Sequence, residues 1–210
     1  MQVEQKLVKG ISKAKTEAQL KKRHYKKICF KDTLYHLGET LLFKETETSN
    51  IIGKLIRIIP ESGNPLHPKW PMLEVQWYYK KQDLDLKKLG IAAEDLRYIG
   101  DNEVFLTNHI DKIYADCING RCRVYPIMEY DELNNVDNLT YFTRANYNPL
   151  QKTLDPPMKD WERYCVCNKP LNPNLFFIKC DLCNKWFHPD CMGLTEEEAQ
   201  EKEEFHCVVC

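Results

Sequence analysis

The stretch YCVCNKPLNPNLFFIKCDLCNKWFHPDCMGLTEEEAQEKEEFHCVVC, Tyr164–Cys210, decides how the C-terminal end of this chain folds. It holds seven cysteines and two histidines, and the cysteines and the first histidine fall in four pairs with one or two residues between the members of each pair. A tight turn at such a spacing points two side chains at one metal ion, and zinc takes four ligands in a tetrahedron. The pattern therefore predicts two structural zinc ions, with the ligands Cys165, Cys167, Cys180, Cys183, His188, Cys191, Cys207 and Cys210.

The order of these ligands is four cysteines, one histidine and three cysteines, with Trp186 two residues before the histidine. That order resembles the plant homeodomain (PHD) finger, in which the pairs interleave. The resemblance implies that one zinc is held by Cys165, Cys167, His188 and Cys191, and the other by Cys180, Cys183, Cys207 and Cys210. A disulfide framework is the alternative for so many cysteines. No secretory signal opens the sequence, and Cys-x-x-Cys pairs with a histidine have the spacing of zinc ligands.

Charge is distributed unevenly along the chain, although the net charge is only −1. The first 31 residues carry ten Lys/Arg against two Asp/Glu, whereas residues 160–210 carry five against ten. An acidic module suits basic peptides better than DNA. The basic arm, residues 1–23, is a candidate nuclear import signal or a contact to DNA or the nucleosome, and a solvated basic tail is the plainer alternative. With no apolar run near the ~20 residues of a membrane span, we expect a soluble protein.

Residues 24–150 show the signals of short β-strands, with β-branched and aromatic runs separated by Gly, Pro, Asn and Ser. The runs are 40–44, 51–59, 73–80, 103–118, 121–130 and 139–144. Asn119-Gly120 predicts a two-residue hairpin turn, which would set Cys117 opposite Cys122 as two thiols. Many short strands predict an all-β domain, a partly closed barrel. Residues 151–161, with Pro156-Pro157, predict a linker so short that the two modules should pack together.

Several features of the β region, in order, resemble a bromo-adjacent homology (BAH) domain. They are WYY at 77–79, EVFLTNH at 103–109, the expected hairpin and YFTRANY at 141–147. A BAH domain followed directly by a PHD finger is similar to the plant chromatin-reader family of SHORT LIFE and EARLY BOLTING IN SHORT DAYS. The resemblance implies a mainly β fold, with a BAH-type barrel at 24–150 and a two-zinc finger at 162–210. It also implies a nuclear protein that binds methylated histone H3 tails, the finger at lysine four and the BAH domain at lysine twenty-seven.

Aromatic side chains are the expected recognition elements of the finger. A trimethylated lysine keeps its charge but cannot donate a hydrogen bond, so aromatic faces recognise it. The resemblance places three cage walls at Tyr164, Phe177 and Trp186 and puts Leu171 where a fourth wall is often tyrosine. Asp181 stands where an acidic residue often meets the arginine at histone position two. The alternative is that the three aromatics form the core of a small domain.

A second aromatic pair lies in the β region. Strand alternation puts Trp77 and Tyr79 on one face, and the resemblance implies that they are two walls of another methyl-lysine cage. His109 matches a histidine near the family's peptide groove, and the position of the third wall holds Ile51. The alternative assigns Trp77 and Tyr79 to the core. Loop aromatics available as a third wall are Trp70 and Tyr147.

Two other functions stay open at this stage. Some RING-type ubiquitin ligases share the ligand order, although the four-residue gap from Cys183 to His188 and the position of Trp186 argue against that class. A scaffold or DNA-binding chromatin protein would use the basic arm. We expect no catalysis, because the sequence has no Gly-rich phosphate loop and the predicted zinc sites have no open coordination position.

Overall fold

The computed structural model describes residues 25–59 and 71–210; the predicted basic arm, 1–23, and Trp70 lie outside them. The strands are β1 Lys27–Phe30, β2 Thr33–His36, β3 Thr40–Lys44, β4 Asn50–Ile59, β5 Met72–Lys80, β6 Val104–Tyr114, β7 Ile118–Arg121, β8 Arg123–Pro126, β9 Thr140–Thr143, β10 Asn146–Asn148, β11 Thr153–Asp155, β12 Ile178–Lys179 and β13 Trp186–Phe187. The α-helices are α1 Leu86–Leu89, α2 Ile127–Asp131 and α3 Glu196–Gln200. Short 3-10 segments are Lys81–Asp83, Ala93–Tyr98, Ala115–Cys117, Met158–Asp160 and Pro189–Met192.

A seven-stranded sheet in the order β11-β10-β6-β5-β4-β3-β7 dominates the larger module. Its core face follows strand alternation, so that Leu73, Val75 and Trp77 of β5 are buried. Gly53 lies opposite Trp77 in the register of β4 and β5. A Cβ at Gly53 would lie 2.2 Å from Val75 Cγ1 and 3.0 Å from the Trp77 ring, so only glycine leaves room for the indole. The mainly β fold is as predicted.

The predicted hairpin at Asn119-Gly120 is wrong. Both residues lie inside β7, which pairs antiparallel with β3 rather than folding back on itself. The register shifts by one residue there, since Leu42 faces Gly120 and Phe43 faces Ile118, and Gly120 adopts φ 137. The turn signal therefore marks a bulge, which needs the same permissive backbone. Within the described residues no disulfide joins the cysteines. The run expected as a strand at 121–130 is divided between β8 and α2.

The prediction that 151–161 is only a linker is wrong in part, because Thr153–Asp155 form the edge strand β11 of the sheet. β11 pairs with β10 at the sheet edge, and Leu154 is buried. Trp161 is 4% exposed and stacks on Phe105 with ring centroids 6.3 Å apart. Its indole Nε1 donates to the Pro156 carbonyl at 3.0 Å. The β module therefore extends to the first residues of the finger, and the two modules pack together as the short connection suggested.

The C-terminal finger contains little regular structure. β12 and β13 form a two-stranded antiparallel sheet in which Ile178 faces Phe187. Thr195 and Glu198 form a capping box that opens α3. A small core around Phe187 and Phe205 includes several of the cysteines. In the two described segments of the chain, no helix has the length and apolar character needed to cross a membrane.

Candidate functional site

The first cluster of metal-binding side chains brings together residues that precede β12 and residues that follow β13. Cys165, Cys167, His188 and Cys191 offer ligand atoms that all lie within 4.8 Å of one another. The Nδ1 atom of His188 lies 3.5 Å from Cys167 Sγ and 3.9 Å from Cys191 Sγ. Zinc bonds of ~2.3 Å to sulfur and ~2.0 Å to nitrogen in a tetrahedron would set S···N separations of ~3.6 Å. The side chains therefore stand where one zinc ion would hold them.

The second cluster consists of four cysteines, Cys180, Cys183, Cys207 and Cys210. The Sγ atoms of Cys180 and Cys210 are 3.6 Å apart, and those of Cys183 and Cys207 are 3.7 Å apart. Four thiolates around zinc would set separations of ~3.8 Å. Burial alone would raise the pKa of Cys180, but the backbone N–H groups of Cys183 and Cys207 lower it, which favours the thiolate that zinc needs.

The two clusters thus have the interleaved ligands that the sequence resemblance implies, and their spacing fits two zinc ions. Such ions supply folding free energy to a segment too small to bury a large core. In the first cluster His188 keeps its Nε2 buried without a hydrogen-bond partner among the described residues. The ring instead packs between Phe177, at a centroid distance of 4.5 Å, and Tyr98 of the β module, at 5.9 Å.

Two of the predicted cage aromatics of the finger have accessible rings. Trp186 is 45% exposed on β13, and Tyr164, just before the first zinc ligand, is 39% exposed. The Tyr164 hydroxyl donates to Glu162 Oε2 at 2.8 Å, and the pKa of Tyr164 is raised by burial and by that carboxylate. Neither residue belongs to the small core of the finger, so both rings are open to a ligand.

The other predicted site residues of the finger make contacts within the folded protein. Phe177 is half-buried and its ring lies against His188, so it supports the first zinc cluster. Asp181 is exposed, and its Oδ2 accepts from the Phe205 N–H at 2.7 Å. Leu171, the position of the fourth wall, is only 4% exposed, and its backbone carbonyl accepts from Arg144 of the β module. A larger residue at Leu171 would therefore overpack this region instead of adding an open wall.

In the β module, Trp77 and Tyr79 share a face but differ in surroundings. The expectation that Trp77 is an open wall is corrected: its ring is 6% exposed and packs edge-on against Phe43 at 5.4 Å. The indole fits there because Gly53 has no side chain. Tyr79 is half-buried at the margin between two core clusters. The suggested loop aromatic Tyr147 is 1% exposed and belongs to the core.

Tyr79 contacts a polar network that includes His109, which was predicted to lie near the peptide groove. The Tyr79 hydroxyl lies 3.1 Å from His109 Nδ1, and His109 Nε2 lies 3.0 Å from Asp111 Oδ2. The same carboxylate oxygen accepts from Trp77 Nε1 at 2.9 Å. An aromatic ring, an imidazole and a carboxylate therefore meet at one place on β5 and β6, where they can attract a cation and bond a peptide.

Comparison with protein families agrees with the two modules. The model of the BAH domain matches residues 33–158, which is more than half of the chain, and that of the PHD-finger matches residues 165–210. The chain belongs to the BAH–PHD chromatin-reader family. The sheet, with β1 and β2 beside it, lies in its BAH domain, and the two interleaved clusters of cysteine and histidine lie in its PHD finger.

Individual relatives cover either both modules or the PHD finger alone. The chain is 35% identical over 175 residues to the chromatin remodeling protein SHL of Arabidopsis thaliana, covering 82% of this chain and 71% of that protein. It is 33% identical over 135 residues to EBS, another chromatin remodeling protein of the same plant, covering 64% and 54%. Human lysine-specific demethylase 7A is 45% identical over 47 residues, 22% of this chain and 5% of that protein. The demethylase match therefore concerns the PHD finger and not a catalytic domain.

Sequence reasoning missed Asp111. Its carboxylate contacts both Trp77 and His109, and His109 in turn contacts Tyr79. One signal was present, since Asp111 follows His109 by two residues on a predicted strand and therefore lies on the same face. It also missed Arg144 and Glu103, two charged residues that are almost fully buried together. They stood within the motifs that resemble the BAH domain, but nothing in the sequence indicated that they meet.

Proposed function

We propose that this protein is a nuclear reader of methylated histone H3 tails. In this proposal the PHD finger binds trimethylated lysine four, and the BAH domain binds trimethylated lysine twenty-seven. The observation that carries the first part is the pair of exposed aromatics, Tyr164 and Trp186, on a finger with PHD-type zinc clusters. Names of relatives support a chromatin role, since SHL and EBS are chromatin remodeling proteins and the demethylase acts on lysine. The partners in this proposal are the histone H3 tails in the nucleus.

Replacement of Trp186 tests the PHD site. Trp186→Ala should remove most of the preference for an H3 peptide trimethylated at lysine four over the unmodified peptide. The lost cation–π contact of ~0.5–2 kcal/mol corresponds to roughly twofold to thirtyfold in affinity. Calorimetry on the full zinc-loaded chain measures both peptides. The matched control is Leu182→Ala, an apolar side chain of the same finger that is 62% exposed and lies outside the proposed cage. Equal affinity of the unaltered protein for both peptides would contradict the proposal.

The BAH site needs its own test because its geometry differs from the expected cage. Tyr79 supplies the accessible ring, Ile51 is a half-buried apolar neighbour, and Trp77 supports the site from the core. His109 and Asp111 supply polar contacts for the peptide. We expect weaker discrimination than a cage of three open aromatics gives, since each missing ring removes ~0.5–2 kcal/mol.

Tyr79→Leu keeps apolar volume but removes the ring quadrupole, so it should reduce the preference for an H3 peptide trimethylated at lysine twenty-seven. Tyr78→Leu is the matched control, because Tyr78 is the next residue of β5 and points to the opposite face. The peptide should span lysine twenty-seven and exclude lysine four, so that the PHD finger does not contribute. If neither the unaltered chain nor Tyr79→Leu discriminates at millimolar peptide, the BAH domain is a structural support for the finger.

A further inference from the structure

One loop of the PHD finger, residues 169–174, makes several polar contacts with the BAH domain. Lys169 Nζ pairs with Asp95 Oδ1 at 2.6 Å. Asn172, which is 3% exposed, donates from Nδ2 to the Arg97 carbonyl at 2.8 Å. Asn174 Oδ1 accepts from the backbone N–H of Asp101 at 3.0 Å. The loop containing Leu171 is therefore held against the BAH domain along its length.

A buried ion pair inside the BAH domain lies directly under that loop. The side chains of Arg144 and Glu103 are 5% and 0% exposed. Arg144 Nε donates to Glu103 Oε1 at 2.8 Å and Arg144 Nη2 to Oε2 at 2.8 Å, a bidentate geometry. The backbone N–H of Gly100 donates to the same carboxylate at 2.9 Å, and the guanidinium lies 4.2 Å from the centre of the Trp161 ring. These contacts fix the guanidinium in place.

The remaining nitrogen of this guanidinium reaches across to the finger. Arg144 Nη1 donates to the Leu171 carbonyl. The Leu171 N–H in turn donates to the Glu162 carbonyl at 2.7 Å, and Glu162 Oε2 accepts from the Tyr164 hydroxyl. One BAH-domain side chain is therefore linked, through two residues, to an exposed aromatic of the finger and to the position of the fourth wall.

We propose that Arg144 is a positioning residue for the methyl-lysine pocket of the PHD finger, so that reading by the finger depends on the BAH domain. The inference rests on the proposed function. A binding pocket discriminates best when its walls are fixed before the ligand arrives, because less ordering opposes binding. Arg144 holds the loop in place from the BAH domain, which has a larger hydrophobic core. The core of the finger is small.

Arg144→Lys in the full zinc-loaded chain tests the inference. Lysine keeps the charge beside Glu103 but lacks the planar fork, so it cannot serve both the carboxylate and the Leu171 carbonyl. We expect the affinity ratio between H3 peptides trimethylated and unmodified at lysine four to fall roughly threefold to thirtyfold. Zinc content should stay at two ions per chain. Arg123→Lys is the matched control, since Arg123 pairs with Asp137 at 2.6 Å on the BAH surface.

A second variant covers the case in which Arg144→Lys does not fold. Asn174→Ala removes the bond to the Asp101 N–H and leaves the buried ion pair intact, so it should lower the ratio in the same direction. Amide hydrogen exchange at Leu171 should become faster in both variants, which reports loosening of the loop without any histone peptide.

The outcomes separate this inference from the proposed function. No discrimination by the unaltered protein overturns the proposed function, and this inference with it. An unchanged ratio in Arg144→Lys, or in Asn174→Ala if the first variant does not fold, overturns this inference alone. Loss of zinc or of binding to the unmodified peptide in the variants also overturns it, because Arg144 would then only maintain the fold.

Discussion

Individual residues on one strand face differ in role because of what lies opposite them. Trp77 and Tyr79 are two residues apart on β5 and point to the same side of the sheet. Trp77 faces Gly53, so its ring sinks into the core against Phe43. Tyr79 reaches His109 at the margin of the core. The neighbour across the strand, rather than the residue type, determines which aromatic is open to a ligand.

The same reasoning at residue scale predicts an unreactive thiol at Cys122. This side chain is 7% exposed in an apolar cluster, and burial raises its pKa to about 12 from an ordinary value of 9.0. At pH 8 the reactive thiolate is then roughly a thousandfold less populated than in an ordinary cysteine. Iodoacetamide should modify Cys122 far more slowly than the exposed Cys29 in the folded protein, as measured by peptide mass spectrometry. Equal labelling rates of Cys122 and Cys29 would show that the cluster around Cys122 is open.

Some elements of this fold are predicted by local sequence signals, because the residues that stabilise them are neighbours in the chain. The capping box of α3 is an example, because Thr195 and Glu198 satisfy each other's backbone N–H groups within one turn. β11 shows the opposite case. Its three residues carry no strong strand signal, and they become a strand because β10 offers a free edge and the core offers a site for Leu154.

A substitution in β11 tests whether this element belongs to the BAH domain. Leu154→Ala removes a buried side chain and should lower the free energy of unfolding by about 2–5 kcal/mol. The matched control is Leu150→Ala, four residues earlier, whose side chain is 87% exposed and should change stability by less than about 0.5 kcal/mol. Urea denaturation followed by circular dichroism measures both. Similar small effects from the two variants would mean that residues 151–161 act as a linker after all.

On the scale of the whole molecule, side-chain contacts join the two modules. Arg144, buried in its ion pair with Glu103, also donates from Nη1 to the Leu171 carbonyl of the finger. Tyr98 of the BAH domain packs beside the zinc ligand His188. Each module therefore contributes to the environment of the other, and the stability of one should depend on the state of the other.

Removal of zinc tests this dependence. Chelation should unfold the PHD finger, residues 164–210, since the free energy of metal binding is the folding free energy of such a segment. The BAH domain should stay folded but lose its contacts with the finger, including one hydrogen bond from a charged donor. We expect its melting temperature to fall by roughly 5 °C, and added zinc should restore it. Thermal scans at increasing chelator, with metal analysis showing two zinc ions at the start, provide the measurement. An unchanged melting temperature after chelation would show that the modules are independent.

The sequence by itself determined the zinc clusters, the mainly β fold and the order of modules. Ligand spacing and strand alternation are local patterns, so the residue types alone predict the metal ligands and the strands. Only the tertiary structure decided that Asn119-Gly120 is at a bulge, that Thr153–Asp155 form the edge strand of the sheet and that Trp77 is buried. Each of these depends on a partner far away in the chain, such as β3, β10 or Gly53. The pairing of Arg144 with Glu103 and Leu171 is of the same kind, because packing alone brings together groups that no local pattern relates.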